Sequence, residues 1–441
     1  MSVESDMLAA VSPDFPLREK VNKATSALMA RVNDVASTYP VELHVRLVGS
    51  VAKDTYVGDP DIDVFILFPE ETPRMELERI GLDIGHRVVE GEERYAEHPY
   101  VHGMFQGFQV DLVPCYRLSD ASHIKSAVDR TPFHTEYVLS NLRSEQHDQV
   151  RLLKQFMKGV GVYGADARVN GFSGYLAELL ILKYGDFSNT VAVGSTWVSG
   201  TALTLAGESA GGFRSPLVFI DPVDQNRNVA SALAADPFAT FVYACQEYSR
   251  GNDRRFFYPE PSNPFTIDEI SKRLDRLGTK LLAVRTERPD LTDDNLYPQT
   301  QKTADGLVGL LGQYGFIVVD QAYLIADTVT FIVMLEADKL SECTIHMGPP
   351  VWVENSEKFL ERWRKEGASL PFIKDGKWAV MAQREHVDAA DLLQRRIKEA
   401  ALGSAFRKLD AFEVLDHQTI VAHGFEAVVS KILDKRFAWE R

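Results

Sequence analysis

Apolar positions in the first 120 residues recur first at helical and then at strand spacing. Residues 17–37 place apolar side chains three and four positions apart, which predicts an amphipathic helix. The segments ELHVRLVGS, DIDVFILFPEE and FQGFQVDLVPCYRL have the short apolar or alternating pattern of strands, and MELERIGLDIGHRVVE between the last two predicts a helix. This part of the chain is therefore predicted to mix helices with strands.

The pattern becomes helical from about Thr135 to Gly185, and a loop rich in Gly, Ser and Thr follows from Val193 to Gly212. Helical spacing resumes in NVASALAADPFATFVYACQEY, where Pro237 is expected to kink or interrupt the helix. Three prolines in RRFFYPEPSNPF predict a linker near residue 260.

Helices and strands are both predicted beyond the linker. FIVVDQAYLIADTVTFIVMLE has the pattern of paired strands, and LPFIKDGKWAVMA predicts a hairpin in which Asp375 and Gly376 take the positive φ of a tight turn. Further helices are predicted in TIDEISKRLDRLG, VDAADLLQRRIKEAAL and FEAVVSKILDKRFAWE. The fold class expected for the whole chain is α+β.

Composition narrows the range of partners. The 441 residues carry 48 Lys and Arg against 63 Asp and Glu, a net charge of −15, so any nucleic acid must be held by local basic patches or by metal ions. Cys115, Cys245 and Cys343 form no C-x-x-C pair, which argues against a disulfide framework and favours a reducing, cytoplasmic location. The first residues lack the pattern of a signal peptide, and no apolar run is long enough to predict a membrane span.

The most informative segment is GSVAKDTYVGDPDIDVFILF. Alternation along a strand points Asp61 and Asp63 to the same side, where two carboxylates repel unless a cation lies between them. A third carboxylate, Asp111, lies in the apolar strand FQVDLVPCY. Three such acids can converge on two Mg²⁺ ions and support in-line phosphoryl transfer, and the turn at Gly49 and Ser50 suits a triphosphate.

A plainer interpretation makes Asp61 and Asp63 solubilising charges at a strand edge and Gly49–Ser50 a simple turn, and for D-x-D alone it would be preferred. The upstream Gly-Ser and the downstream Asp111 favour the metal site instead. The combined pattern resembles the nucleotidyltransferase superfamily that includes DNA polymerase beta.

Several longer phrases resemble one branch of that superfamily, the archaeal CCA-adding enzymes, which build the 3′ CCA end of tRNA without a nucleic-acid template. They include GSVAKDTYVGDPDIDVFILFP, VDLVPCY, TPFHTEYV, LLKQFMKGVGVYGADARVNGFSGYLAELLI, FIDPVDQNRNVA and HMGPPV, in the order and spacing of the family. The resemblance is specific to about residue 235 and weaker beyond it.

The resemblance implies addition of CMP, CMP and AMP to tRNA from CTP and ATP by two-metal nucleotidyl transfer. It implies that Asp61, Asp63 and Asp111 are catalytic and bind Mg²⁺. It assigns the nucleotide to a second set of residues, in which Arg227 would read the base edge. The members of that set are Gly49, Ser50, Lys53, Thr131, His134, Lys154, Tyr163 and Arg227.

The sequence departs from the family pattern at Lys53, where an Arg is expected after GSVA, so a point charge replaces a planar fork. At Asp61 some relatives have Glu, and either residue can ligate Mg²⁺.

The domains implied are a polymerase-beta-like nucleotidyltransferase head at 1–140, a helical central domain at 141–255 that completes the nucleotide pocket, and α+β RNA-binding domains at 256–441. The last would grip the acceptor and T arms of tRNA through local basic groups, and a homodimer would be unsurprising. Glutamates interleave with those groups, so each can also be an ordinary helix surface.

Each assigned side chain also has an ordinary structural explanation. His134 could cap or cover a helix, Lys154 could belong to a solvated helix face with Arg151 and Lys158, and Arg227 could cap a helix or pair with Asp224. Clustering near Arg168 favours a phosphate-binding path for the lysines. Tyr163, between glycines, is expected to be exposed and to stack on a base or sugar.

Three competing functions remain at this point. Gly207-Glu208-Ser209-Ala210-Gly211 matches the G-x-S-x-G elbow of serine hydrolases, but the segment that follows does not have the pattern of a helix. A poly(A)-type or small-molecule nucleotidyltransferase would use the same three carboxylates. A non-catalytic RNA-binding role gives no reason to keep three acids together.

Overall fold

The computed structural model describes residues 3–95, 98–205, 207, 212–354, 356–422 and 424–441. The chain forms two compact units, Met1–Pro261 together with Phe437–Arg441, and Ser262–Arg436. Both units combine helices with sheets, which confirms the predicted α+β class. The boundary between the units lies in the predicted proline-rich linker.

A five-stranded sheet forms the first part of the first unit, in the order β1-β2-β5-β4-β3. Strands β2 and β5 are parallel, and every other neighbouring pair is antiparallel. The elements are α1 Val3–Val11, α2 Phe15–Ala36, β1 His44–Val48, α3 Gly49–Ala52, β2 Ile62–Pro69, α4 Arg74–Val88, β3 Gly91–Tyr95, β4 Pro99–Phe105 and β5 Phe108–Arg117.

Strand β2 is buried on both faces of this sheet. Ile62, Val64, Ile66 and Phe68 pack with helices α2 and α4, whereas Phe65 joins a smaller apolar cluster on the other face. This arrangement explains why β2 has a nearly continuous apolar run. Asp63 shares a face with Phe65 and interrupts that run.

The β3–β4 hairpin was not anticipated from the sequence. GEERY in β3 carries three charged residues and is mostly exposed, so it lacks the apolar alternation from which a strand is recognised. Its pairing comes from β4, whose partner on the other side is the strongly apolar β5.

Helices and a two-stranded parallel sheet complete the first unit around one large apolar cluster. Pro237 was expected to kink or interrupt a helix, and this prediction is wrong. It lies in the first turn of α9, where a missing N–H costs no helical hydrogen bond, and residues 231–234, which precede α9, are not helical. The elements are α5 Thr131–Asn141, α6 Gln146–Gly159, α7 Gly174–Tyr184, α8 Phe187–Gly194, β6 Thr201–Leu203, β7 Leu217–Phe219 and α9 Ala235–Arg250.

The last residues of the chain return to this cluster. Trp439 is 5% exposed and stacks on Phe256, with ring centroids 5.2 Å apart. Phe437 packs against Tyr243 at 5.0 Å. The first unit is therefore built from two separate stretches of sequence.

The second unit contains a four-stranded antiparallel sheet, β14-β8-β10-β9, and a three-stranded antiparallel sheet, β11-β13-β12. Both predicted hairpins are confirmed, and Asp375 and Gly376 have φ values of 49° and 73°. The elements are α10 Ile267–Leu277, β8 Lys280–Glu287, α11 Asp293–Gln313, β9 Val318–Ile325, β10 Thr328–Leu335, β11 Cys343–Pro350, α12 Ser356–Glu366, β12 Phe372–Lys374, β13 Lys377–Gln383, α13 Ala389–Arg396, α14 Ser404–Arg407, β14 Glu413–Leu415, α15 His417–Ala422 and α16 Glu426–Leu433.

Within the described ranges, no helix has both the length and the apolar character needed to cross a membrane.

Candidate active site

The turn after β1 lies against the end of β2 that carries the carboxylates. Val48 pairs with Asp63, and the next residue, Gly49, has φ +71° and begins the short helix α3. A β-carbon on Gly49 would lie 1.9 Å from Oδ2 of Asp63. Only glycine therefore fits this position on both conformational and steric grounds.

The structure places two of the three predicted carboxylates on paired strands and the third just before the first of those strands. Asp63 and Asp111 are direct partners on the parallel strands β2 and β5, and Asp61 immediately precedes β2. Burial together with the nearby charges of Asp111 and Asp61 raises the pKa of Asp63 to about 7. Burial and Asp111 also raise the pKa of Asp61. The protein alone thus leaves these negative charges poorly compensated.

His102 is an additional neighbour of this group. It lies opposite Asp111 in the β4–β5 pair, and its Nδ1 is 2.6 Å from Oδ1 of Asp111. This contact could not be predicted from the sequence, because the strand that carries His102 was not predicted.

The donor atoms in this region fit a divalent cation. Carboxylate oxygens are the ligands that Mg²⁺ prefers. Burial is the main cause of the raised pKa values of Asp61 and Asp63, and the repulsion between neighbouring carboxylates, which adds to it, is what a cation would relieve. In the part of the chain that the structure describes, no three His, Cys, Asp or Glu side chains are already gathered into a metal-binding group. Strand pairing thus sets Asp63 beside Asp111, with Asp61 just before β2, and the three carboxylates are not yet gathered around one point.

Two of the predicted nucleotide-binding residues, Lys53 and Lys154, meet at a buried glutamate. The Nζ of Lys53 donates to Oε2 of Glu178 at 2.6 Å, and the Nζ of Lys154 donates to Oε1 at 3.1 Å. Thr55 also donates to Oε1, at 2.6 Å. Lys53 and Lys154 are 7% and 2% exposed, and Glu178 is fully buried. Two cations therefore share one carboxylate, and the cluster keeps one excess positive charge.

Burial by itself opposes ionisation of Glu178. The charges of Lys154 and Lys53 outweigh that effect, and with the hydrogen bonds from Lys53 and Thr55 they hold the pKa of Glu178 at about 2. Glu178 is the only charged residue in the apolar run GYLAELLIL, and that pattern could have marked it as a buried ionic partner.

A second buried carboxylate, Asp221, gathers two more of the predicted residues. Its Oδ2 lies 2.9 Å from Nε2 of His134 and accepts a hydrogen bond from Nη1 of Arg227 at 2.9 Å. Its Oδ1 accepts from the hydroxyl of Tyr175 at 3.2 Å. The ring of Tyr175 also stacks on His134, with centroids 4.0 Å apart.

The alternative partner suggested for Arg227 is wrong. Asp224 accepts instead from Nε of Arg130 at 2.9 Å, and the carboxylate bound to the Arg227 guanidinium is Asp221. His134 is 9% exposed and lies inside α5, so it is neither a helix cap nor a surface residue. Burial lowers the pKa of His134, although the carboxylate of Asp221 opposes this shift. Burial raises the pKa of Asp221, but its bonds from His134, Val223 and Arg227 reverse this and leave it below its usual value.

Helix α6, which carries Lys154 and Lys158, is not exposed to solvent at its centre. Arg151 and Lys154 are 1% and 2% exposed, whereas Lys158 is exposed. Tyr163 is half-buried, contrary to the expected exposure, and the Nζ of Lys158 lies 5.4 Å from the centre of its ring. Arg168 lies at the surface and donates to Asp166 at 3.1 Å.

Helix α7 links the two carboxylate networks. It carries both Glu178, which binds the lysines, and Tyr175, which binds Asp221. The Nζ of Lys53 lies 5.9 Å from the centre of the Tyr175 ring. Thr131 begins α5, the helix of His134, and Ser50 follows Gly49 in α3. Of the serine-hydrolase motif at 207–211, residues 208–211 lie outside the described residues.

Carboxylates paired on two interior strands of a mixed sheet, beside a buried excess of positive charge, are features of a nucleotidyltransferase. Family models agree with this class along the chain. Residues 30–134 match a nucleotidyltransferase domain, and residues 148–258 match the second domain of tRNA nucleotidyltransferase. Residues 277–417 match the C-terminal domain of the CCA-adding enzyme.

Curated relatives narrow the class further. The CCA-adding enzyme of Methanosarcina barkeri is 39% identical over 425 residues, covering 94% of this chain and 93% of that protein. The corresponding enzyme of Methanosarcina acetivorans is 40% identical over 428 residues, with the same coverage, and that of Methanothermobacter thermautotrophicus is 40% identical over 399 residues, covering 88% and 87%. The chain belongs to the CCA-adding enzymes, which confirms the resemblance and favours tRNA CCA addition over the competing functions.

Proposed function

We propose that Asp61, Asp63 and Asp111 form the catalytic centre for stepwise addition of CMP, CMP and AMP to tRNA. In each step the 3′ hydroxyl oxygen bonds to the α-phosphorus of CTP or ATP, the bond to the β-phosphate breaks, and pyrophosphate leaves. The hydroxyl proton passes to solvent. The observation that carries this assignment is the direct pairing of Asp63 with Asp111, with Asp61 beside them.

Mg²⁺ is the ion we propose for these carboxylates, because they offer only hard oxygen ligands. When bound, it would supply positive charge that stabilises the negative charge developing on the reacting oxygens. Asp63 and Asp111 would hold it from paired strands, and Asp61 from the residue before β2. The contact from His102 would keep the Asp111 carboxylate in one orientation.

The triphosphate would lie beside Gly49, Ser50, Lys53 and Lys154. The two lysines share Glu178 and retain one excess positive charge in a buried setting, where electrostatic attraction to an anion is stronger than in water. Lys53 acts here as a point charge and lacks the planar fork of an arginine. Gly49 lets the backbone approach closely because it has no side chain.

The remaining nucleotide residues would contact the sugar and the base. Thr131, His134 and Tyr163 would line the sugar and phosphate site, and Arg227 would read the base edge with its rigid guanidinium. Arg227 is supported in this role by its geometry, because one nitrogen is held by Asp221 while a third of the side chain is exposed.

We propose that the second unit grips the acceptor and T arms of tRNA by shape and backbone charge. A cleft of about 910 Å³ beside α11 supports this role, because Lys302, Lys398 and Arg407 lie among its lining residues. The functional division into 1–140, 141–255 and 256–441, and assembly as a homodimer, are also proposals. The molecular mass in solution tests the last of these.

Incorporation of labelled CTP and ATP into tRNA lacking its 3′ end tests the catalytic assignment. Asp61→Ala, Asp63→Ala and Asp111→Ala should each lose at least about a hundredfold in rate, because each removes a metal ligand. Affinity for tRNA should be largely retained. Ser209→Ala is the control for the hydrolase motif and should keep full activity. Near-normal turnover of any aspartate variant in Mg²⁺ would remove that residue from the centre.

A further inference from the structure

Asp221 contacts three different side chains around the proposed base site. His134 and Arg227 meet its Oδ2, and the hydroxyl of Tyr175 meets its Oδ1. The backbone N–H of Val223 also donates to Oδ1, at 3.1 Å. A fully buried carboxylate is tolerated only with such a set of donors, and Asp221 is 0% exposed.

Backbone hydrogen bonds within the loop 221–227 hold its conformation. The N–H of Asp221 donates to the carbonyl of Arg227 at 3.1 Å, and the N–H of Arg227 donates to the carbonyl of Asp224 at 2.9 Å. The side chain of Asn228 continues this bracing by accepting from the N–H of Phe219 at 2.8 Å. The loop therefore holds the Cα atom of Arg227 in place, and the orientation of its guanidinium is the remaining freedom.

The guanidinium of Arg227 is held from one side only. Its Nη1 donates to Asp221, and its nitrogens have no other hydrogen-bond partner among the described residues. A planar guanidinium with one nitrogen fixed directs its other N–H groups along defined lines. Those lines decide which acceptors on a base can be matched.

We infer that Asp221 is a positioning residue that sets nucleotide choice by fixing the guanidinium of Arg227. The inference rests on the proposed role of Arg227 as the reader of the base edge. Asp221 touches no nucleotide itself in this scheme. With the carboxylate removed, Arg227 would rotate, and its donors would meet the acceptors of cytosine and adenine less selectively.

The same carboxylate also fixes His134, whose ring is clamped between the Asp221 contact and the face of Tyr175. The sugar site and the base site therefore share one anchor. A change at Asp221 should alter selection among nucleotides and also their binding, whereas a defect confined to stability would alter neither.

The test is nucleotide selection by Asp221→Asn, measured as the ratio of kcat/KM for CTP to that for UTP on one tRNA lacking its 3′ end. The amide keeps the shape of the carboxylate but loses its charge and presents a donor to one of its partners. The ratio should fall about tenfold, within the range that one specific base contact provides. KM for CTP should rise more than kcat falls.

Asp224→Asn is the matched control, because Asp224 lies in the same loop and binds Arg130 in place of Arg227. Its ratio should stay within about twofold of the original. Asp221→Asn combined with Arg227→Ala should lose no more selectivity than Arg227→Ala alone, because both changes remove the same contact.

A selectivity loss in Arg227→Ala with none in Asp221→Asn would overturn this inference and leave the proposed reading by Arg227 intact. An unchanged ratio in Arg227→Ala would overturn both. Where Asp221→Asn fails to fold by circular dichroism, Tyr175→Phe replaces it, since the ring stays on His134 while the donor to Asp221 is lost. That variant should lose about threefold in the ratio, and no change would overturn the inference.

Discussion

The carboxylate of Asp63 occupies the space that a β-carbon on Gly49 would need. Such a β-carbon would lie 1.9 Å from Oδ2 of Asp63. Two neighbouring strands thus bring a side-chain-free backbone turn and a proposed metal ligand into direct contact. The proposed triphosphate site at Gly49 and the proposed metal site at Asp63 are therefore in direct contact.

Gly49→Ala should reduce nucleotide incorporation by at least about a hundredfold, because the new methyl group displaces a proposed metal ligand. Gly58→Ala is the matched control. Gly58 has a similar φ of +73°, but a β-carbon there meets nothing within 4 Å. It shares the conformational strain and lacks the clash, so it should lose stability and keep most activity. Equal activity of the two variants would show that the contact with Asp63 is unimportant.

The pKa of Asp63 predicts how the metal-free protein responds to pH. The folded protein holds a proton on Asp63 up to about pH 7, whereas an unfolded chain releases it near pH 4. In EDTA, raising the pH from 5 to 7.5 should therefore lower the thermal unfolding temperature.

Asp63→Asn should show a flatter profile, and Mg²⁺ should raise the unfolding temperature most at the higher pH, where the carboxylates are ionised. Thermal unfolding measured at several pH values, with EDTA and with Mg²⁺, checks both expectations. A profile identical in the variant would mean that Asp63 does not titrate in this range.

Glu178→Gln should destabilise the protein by about 3–5 kcal/mol, because it leaves the buried ammonium groups of Lys53 and Lys154 without their shared anion. Denaturant unfolding measures the loss. Glu247→Gln, which breaks the exposed pair with Arg250, should change stability by less than about 1 kcal/mol. A small effect at Glu178 would mean that water or a counterion reaches the lysines.

Binding of tRNA should weaken steeply with salt even though the net charge is −15, because local lysines and arginines release counterions from the phosphates they meet. Lys302→Ala should reduce the slope of log affinity against log salt by about 0.7–0.9, the value for one phosphate contact. Arg250→Ala, at an exposed position of the first unit, should leave the slope unchanged. An unchanged slope in Lys302→Ala would exclude that lysine from the tRNA surface.

Strands β1, β2 and β5 and the carboxylates could be predicted because their signals are local. An acid within an apolar strand, as at Asp63 and Asp111, stands out from its neighbours whatever the rest of the chain does. Glu178 and Asp221 are marked in a similar way, since each interrupts or follows an apolar run. Arg227 lies only 6 residues from Asp221, but the other side chains that the two carboxylates bind lie 24 to 125 residues away. Which side chains they meet depends on packing that spacing does not encode.

Two other differences have specific causes. Pro237 was expected to break a helix because proline is unfavourable in a helix interior, and only the position of the helix start makes it acceptable. Tyr163 was expected to be exposed because glycines flank it, yet one of those glycines supports a bridge in which Tyr163 pairs with Phe172. The conformational propensity of a residue can be read from its type. Whether that residue is buried depends on which other segment packs against it.

The return of Phe437 and Trp439 to the first unit has a consequence for synthesis. A ribosome makes these aromatic residues only after the whole of Ser262–Arg436, so the apolar surface around Phe256 and Tyr243 must wait for them. The first unit can collapse early in translation, but it can seal this surface only once the second unit has been made. Nascent chains halted before residue 437 should accordingly expose the aromatic surface around Phe256 and Tyr243, and chaperones should bind them more than the full-length chain.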